Sequence, residues 1–262
     1  MLAARDLAFG YGRAPVGRDV TLDIEPGEVF CLLGPNGCGK TTLFRTLLGL
    51  LPPRAGRVEL DGRPVAGFSR AAFARRVGYV PQAGAPTFPF TVLDVVLMGR
   101  ASRIATFAAP SPADHAAARA ALETIGVAHL AGRRFTEISG GERQMTLIAR
   151  ALAQEPGLIV MDEPTASLDF GNQARVIERI RELGARGIAV VLSTHDPGHA
   201  FACANRVALM QRGRIVALGP PDRVLTAGAL QRLYGVAVAV AWLEEAGRHV
   251  CAPSIAETGR IP

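Results

Sequence analysis

One lysine stands among the 29 basic side chains of this 262-residue sequence, Lys40. Every other basic position carries arginine, so an ammonium here suggests a site that takes a compact point charge and has no room for a planar fork. Lys40 lies in Gly34-Pro35-Asn36-Gly37-Cys38-Gly39-Lys40-Thr41, which fits G-x-x-x-x-G-K-S/T at every fixed position. Glycines in such a loop let backbone N–H groups turn inward around phosphate oxygens, and a following helix N-terminus adds positive potential. Lys40 then reaches the terminal phosphates of a nucleotide, and the Thr41 hydroxyl can ligate magnesium.

A second group of chemistry-bearing residues follows the apolar run Leu158-Ile159-Val160-Met161, which ends in Asp162-Glu163-Pro164. Successive strand side chains point to opposite faces, so neighbouring acids at a strand end can take different jobs. Asp162 is assigned to magnesium, directly or through water, and Glu163 to an attacking water as general base. A third stretch is Ile138-Ser139-Gly140-Gly141-Glu142-Arg143-Gln144. Ser139 and Glu142 fit a capping box that starts a helix. The two glycines between them are poor helix formers, which suits backbone that must approach a ligand closely, and a capped helix N-terminus is also an anion site.

These groups need elements to hold them. Val29-Phe30-Cys31-Leu32-Leu33 reads as a buried strand before the glycine loop, and 41–50 as a helix after it, with Leu43, Leu47 and Leu50 on one face. A second helix is predicted over 145–154, and a third from Ser111-Pro112-Ala113-Asp114 to Ile125, stopped by Gly126. Short strands at 3–9, 20–24 and 57–60 suggest a small antiparallel sheet beside a parallel core, and 206–210 with 214–218 a hairpin across Gln211-Arg212-Gly213. After Gly219-Pro220-Pro221 come two short helix candidates and a candidate strand at 236–242. The fold class expected is α/β.

Composition narrows the classes. With 49% hydrophobic and 20% charged residues, the sequence encodes an ordinary core and excludes disorder. Mean hydropathy is +0.22, yet no stretch approaches the roughly 20 apolar residues of a membrane span. The N-terminus has no basic segment followed by an apolar run, so a cytoplasmic protein is expected. Cys31, Cys38, Cys203 and Cys251 lie too far apart for a zinc site or disulfide framework and read as reduced thiols. A net charge of +6 is spread over scattered arginines, and aromatics make up only 6%, so a nucleic-acid partner is not expected.

Further single residues complete a pattern: Gln82 after Gly78-Tyr79-Val80-Pro81, Ser167-Leu168-Asp169, His195 after a run ending Ser193-Thr194, and Tyr11 near the start. In this order the motifs resemble the ATP-binding cassette family over residues 1 to about 220. The resemblance implies a P-loop NTPase core with a mostly parallel sheet flanked by helices, an antiparallel β subdomain and an α-helical subdomain inserted at about 83–155. Residues 221–262 are then a C-terminal extension of unknown role. It implies that Gly34, Pro35, Asn36, Gly37, Cys38, Gly39, Lys40, Thr41 and Thr42 hold ATP. Ser139, Gly140, Gly141 and Glu142 form the family's signature, with Ile138 in place of the usual leucine. Gln82 senses the γ-phosphate and magnesium, His195 donates to phosphate or positions the Glu163 water, and Asp169 connects two active sites unless it merely caps a helix. Tyr11 stacks on adenine, with Phe9 as the competing candidate.

In this family the signature of one subunit meets the nucleotide held by the P-loop of another, so a head-to-tail pair of chains is implied. Permease subunits across the membrane and, indirectly, a substrate-binding protein complete the assembly, with the ATPase peripheral on the cytoplasmic face. The stretch Phe90-Thr91-Val92-Leu93-Asp94-Val95-Val96-Leu97-Met98-Gly99-Arg100 and the segment Leu233-Tyr234-Gly235-Val236 are similar to importers of iron-siderophore complexes, haem and cobalamin. Asp169-Phe170-Gly171-Asn172-Gln173 resembles a branch that includes molybdate importers. Ferric-siderophore uptake is the cargo expected first, with haem, cobalamin or molybdate import as alternatives, and an exporter subunit or a soluble ATPase of the family acting on nucleic acid behind them. Since Cys38 sits inside the phosphate loop, an accessible thiol there is expected to be shielded from maleimide by ATP.

Overall fold

The computed structural model describes residues 1–12, 14–82, 89–105 and 107–254. In chain order the elements are β1 (Leu2–Phe9), β2 (Gly17–Ile24), β3 (Val29–Leu33), α1 (Lys40–Leu47), β4 (Ala55–Leu60), β5 (Arg63–Pro64) and α2 (Arg70–Ala74). Then come β6 (Val77–Val80), α3 (Val92–Leu97), α4 (Pro112–Ile125), α5 (Gly140–Leu152), β7 (Leu158–Met161), α6 (Phe170–Ala185) and β8 (Ala189–Thr194). The chain continues with α7 (Pro197–Cys203), β9 (Arg206–Gln211), β10 (Arg214–Gly219), α8 (Pro221–Val224), α9 (Ala227–Tyr234), β11 (Val238–Leu243) and β12 (Arg248–Pro253).

Six strands form the central sheet in the order β10-β9-β3-β8-β7-β6. All neighbours in it are parallel except the β9–β10 hairpin. The reason lies in the strand sequences. β3 is apolar at all five positions and buried at all five, the mark of a parallel strand covered on both faces. Its alternation divides the interior in two: Val29, Cys31 and Leu33 join one core with the helices, and Phe30 and Leu32 join the other beneath the antiparallel sheet. β7 and β8 divide the same way, Ile159, Met161, Val190 and Leu192 on the helical side and Leu158, Val160 and Val191 opposite.

The second sheet, β2-β1-β4-β5, is antiparallel as expected. The β9–β10 hairpin turns on Arg212 and Gly213, both at positive φ (48° and 77°), the pattern of the two-residue turn whose twist suits flanking strands. Gly213 is required twice over, because a Cβ there would stand 2.0 Å from the Val16 carbonyl oxygen.

Between β6 and β7 the chain makes α3, α4 and α5, which pack on one another. Thr91 and Ser111 cap α3 and α4 with full capping boxes, and Gly126 ends α4 at φ 86°. Residues 83–88, where the expected helical insertion begins, lie outside the described residues. The stretch read from sequence as a mark of cargo has a structural explanation. Gly99 has no room for a Cβ, which would lie 2.1 Å from the Arg150 carbonyl oxygen. Arg100 is buried, donates to Asp114 Oδ1 at 3.0 Å, to Glu155 Oε2 at 2.9 Å and to the Ala153 carbonyl at 2.8 Å, and so staples α4 to the end of α5. The Ser111 hydroxyl and backbone N–H, followed by Arg100, hold the Asp114 carboxyl down at about 2.

Candidate active site

Parallel strands put their C-terminal ends on one edge, where open α/β sheets bind ligands. The glycine loop leaves β3 there, Pro81-Gln82 leave β6, Asp162-Glu163 leave β7 and His195 leaves β8. Register aligns them: Val80 pairs with Met161, Met161 with Leu192, and Leu33 with Thr194. Residues far apart in the sequence therefore meet because four strands stop at one level.

Lys40 opens α1 and is 5% exposed. Its ammonium donates to the carbonyls of Gly34 at 2.7 Å and Pro35 at 3.2 Å, and pairs with Glu163 Oε1 at 3.2 Å. Glu163 Oε2 lies 3.4 Å from His195 Nδ1. Glu163 thus bridges the loop cation and the imidazole. It does so from a left-handed backbone at φ 45°, a conformation that costs a non-glycine residue about 1–3 kcal/mol and that surrounding structure must enforce. Part of the enforcement is a residue that sequence reasoning passed over: the Ser193 hydroxyl accepts from Glu163 N at 2.9 Å and donates to Asp162 Oδ1 at 2.7 Å. Ser193 is fully buried, and a hydroxyl buried behind a run as apolar as 189–192 needs a partner, which was the signal available.

In the loop itself Gly39 takes φ 108° and Gly37 φ 77°. A Cβ on Gly34 would stand 2.4 Å from the Met210 carbonyl oxygen, so the loop is seated directly on β9. Thr41 and Thr42 follow in the first turn of α1, half-buried, while Asn36 is exposed. Gln82 is exposed, two residues past the end of β6, the strand paired with β7.

Cys38 corrects the expected labelling. Its side chain is packed inward at 7% exposure, and burial raises its pKa. It serves the loop through its backbone, its carbonyl accepting from Gly213 N at 3.0 Å. In the folded protein Cys38 is expected to resist maleimide with and without ATP, with the half-exposed Cys251 taking the label first; mass mapping of labelled peptides reads this directly. Rapid labelling at Cys38 that ATP blocks would restore the original expectation.

Of the two aromatic candidates, Phe9 is fully buried, 3.5 Å from where a Gly39 Cβ would be, and has no face left for a base. Tyr11 is 50% exposed, and its hydroxyl accepts 2.8 Å from Arg45 on α1.

Ser139 and Glu142 do form the capping box: Ser139 N donates to Glu142 Oε2 at 2.8 Å and Glu142 N to Ser139 Oγ at 3.3 Å. These bonds lower the Glu142 pKa. The glycines split in meaning. A Cβ on Gly141 would fall 2.3 Å from the Asn172 side chain, so that glycine is needed inside the chain. Gly140 is exposed with only Leu168 Cδ2 near, at 3.8 Å, which leaves it open to a ligand. Asp169 caps α6 through Asn172 N at 2.8 Å and also accepts from Asn172 Nδ2 at 2.7 Å. Ile138 is buried in the helical core, where its apolar bulk serves as leucine would. Among the described residues no hydrogen bond or ion pair joins Ser139–Glu142 to the Lys40–Glu163–His195 group.

Comparison with known proteins decides what this arrangement belongs to. Residues 18–166 match the sequence pattern of the family described as ABC transporter. The chain belongs to that family. It is an ATP-binding ATPase subunit. The ABC ATPase is 41% identical over 240 residues to a hemin import ATP-binding protein of Thermobifida fusca, covering 92% of this chain and 84% of that one. It is 35% identical over 236 residues to the ferric enterobactin transport ATP-binding protein of Escherichia coli K12, covering 90% and 87%. A solved chain of a transporter described as of the metal-chelate type, in an inward-facing conformation, superposes with a TM-score of 0.85 at 35% identity, covering 97% of each chain. No helix among the described residues of the ABC ATPase is long and apolar enough to cross a membrane.

Proposed function

We propose that the ABC ATPase powers a membrane importer of an iron-bearing chelate, haem or a ferric siderophore. One observation carries the catalytic part: Lys40, Glu163 and His195 form a single chain of contacts at the strand ends, 3.2 and 3.4 Å apart. In the reaction proposed, Glu163 takes a proton from water as its oxygen bonds to the γ-phosphorus of ATP, and the bond from that phosphorus to the β-phosphate oxygen breaks, leaving ADP and phosphate. Lys40 exchanges its pairing with Glu163 for the terminal phosphate oxygens, which frees the carboxylate for the water. His195 holds Glu163 from the other side, and Tyr11 offers its open ring to adenine. Thr41, Asp162 and Gln82 are hard oxygen donors of the kind magnesium takes, and magnesium when bound neutralises phosphate charge.

The separation of Ser139–Glu142 from this group supports closure by a second copy, head to tail. Ser139 and Gly140 are exposed at a helix N-terminus suited to phosphate, and Phe170, next to Asp169, is 88% exposed, an apolar side chain that a partner would cover. For the permease subunits we favour the apolar groove of about 750 Å³ lined by Leu50, Pro52, Val65, Phe68 and Phe73. A substrate-binding protein joins only through them, and the ATPase sits peripherally on the cytoplasmic face. We keep the division drawn from sequence, an ATPase domain over 1–220 with the inserted helices and an extension beyond.

For cargo, haem, an alternative in the sequence reading, is placed beside the ferric siderophore expected first, because the hemin-import relative is the more similar of the two named above. Proteoliposomes holding this subunit and its permease are expected to take up haem or a ferric siderophore only with ATP inside the compartment facing the subunit. ATP hydrolysis without uptake of either would refute the cargo and leave the ATPase intact.

A further inference from the structure

His195 is held at two ends. Its imidazole meets Glu163, and its backbone carbonyl accepts a 2.7 Å hydrogen bond from the Tyr234 hydroxyl. The imidazole is 53% exposed, so packing alone does not fix it and its position follows its backbone. That backbone leaves β8 at Thr194 and enters α7 at Pro197. Asp196 tightens the turn locally, its N–H donating to Thr194 Oγ1 at 3.1 Å and its carboxylate accepting from Gly198 N at 2.7 Å. Among the described residues, the Tyr234 hydroxyl makes the one hydrogen bond that ties the backbone of residue 195 to a remote element.

The anchor is firm. Tyr234 is the last residue of α9, whose Leu230 and Leu233 are buried in the helical core, and its own ring packs against that core. Gln211 at the end of β9 donates to the Arg232 carbonyl at 3.0 Å, fastening the same helix to the central sheet. Past Gly235, the β11–β12 hairpin returns to α7, the helix that follows His195, where the His249 ring lies 5.7 Å from Phe201 and 5.3 Å from Trp242. The C-terminal segment thus holds the His195 turn through α9 and the helix that follows the turn through β12. Burial raises the Tyr234 pKa, so its hydroxyl keeps its proton and remains a donor across the working pH range.

We propose that Tyr234 is a positioning residue for ATP hydrolysis, setting through the His195 carbonyl where the imidazole stands against Glu163, and that the C-terminal segment is thereby part of the catalytic unit. This rests on the role given to Glu163 and His195 above. The step it serves is the hydrolysis already written; Tyr234 itself exchanges no proton and touches no substrate.

The test uses the full chain as wild type, Tyr234→Phe, His195→Ala and the double variant. Phe keeps the ring and removes only the hydroxyl. The expected result is a kcat lower by about threefold to tenfold in Tyr234→Phe, the effect of one lost positioning hydrogen bond, with KM for ATP unchanged and the unfolding midpoint lower by no more than about 4 °C. In the His195→Ala background the same substitution is expected to change nothing further. Nitrogen-15 histidine spectra of Tyr234→Phe give a second readout free of turnover, in which the His195 ring resonances shift. An unchanged kcat in Tyr234→Phe, a loss that multiplies undiminished on His195→Ala, a KM that rises in step with a fallen midpoint, or an unshifted His195 ring would each overturn the proposal. Full activity in His195→Ala would instead remove His195 from the reaction, and the role of Tyr234 with it.

Discussion

With Glu163 replaced by Gln, ATP turnover is expected to fall by about 10²–10⁴-fold, the range of a lost general base, while nucleotide affinity holds or rises. Geometry supplies both halves of this expectation. Glu163 is the carboxylate that reaches Lys40 and His195 together, at 3.2 and 3.4 Å, so an amide there keeps the shape and loses the proton acceptor. The same carboxylate competes with phosphate for the Lys40 ammonium, and glutamine removes that competitor. Phosphate release measured beside nucleotide titration separates the two effects. A variant that still turns over ATP at the wild-type rate would take the base role away from Glu163; one that binds no ATP would show that the Lys40–Glu163 pair builds the loop instead of yielding to the substrate.

Lys40→Arg is the second large effect, expected to weaken ATP binding at least tenfold and turnover at least a hundredfold although the charge is kept. Lys40 is 5% exposed and its ammonium is already enclosed by the Gly34 and Pro35 carbonyls at 2.7 and 3.2 Å. A guanidinium is planar, longer and wider, and the loop has nowhere to recede because Gly34 lies against the Met210 carbonyl beneath it. Lys40→Ala, measured in parallel by titration with a fluorescent ATP analogue, reports loss of charge without added bulk. If arginine performs as lysine does, the solitary lysine is an accident of a composition that favours arginine.

What the sequence made legible was local. β3 and β7 are continuous apolar runs between breakers, and both strands begin and end where those runs do. α4 starts at Ser111 and stops at Gly126 because capping box and left-handed glycine are written in adjacent residues. The site motifs were legible for the same reason, each being a short string at a strand or helix end. The rest depends on contacts between distant segments. Nothing near Cys38 announces that its thiol turns inward, since Met210 and Phe9, which lie close beneath the loop, are far away in the chain. Gly141 was read as backbone left bare for a ligand, and the fold adds a second reason for it, since Asn172 of α6, the next helix, fills the place a Cβ would take. In the tail, β11 was anticipated only as a candidate strand and β12 was missed, because a two-stranded pairing with mostly exposed side chains leaves little hydrophobic pattern to read. The Tyr234 contact with residue 195 spans 39 positions and has no local trace at all.

The proposed working assembly is a triphosphate gripped by Lys40 and the strand-end acids of one chain and capped by Ser139 and Gly140 of another. Sedimentation of Glu163→Gln with and without ATP, beside Glu163→Gln/Gly140→Asp, tests it most directly. Gly140 has space for a side chain within its own chain, and an acid in the first turn favours the helix, so the added carboxylate spares the monomer and repels only a phosphate brought against it. Glu163→Gln is predicted to double in mass when ATP is added, and the double variant to bind ATP yet stay single. A Glu163→Gln chain that binds ATP and remains single, or a double variant that pairs just as well, would contradict the central claim.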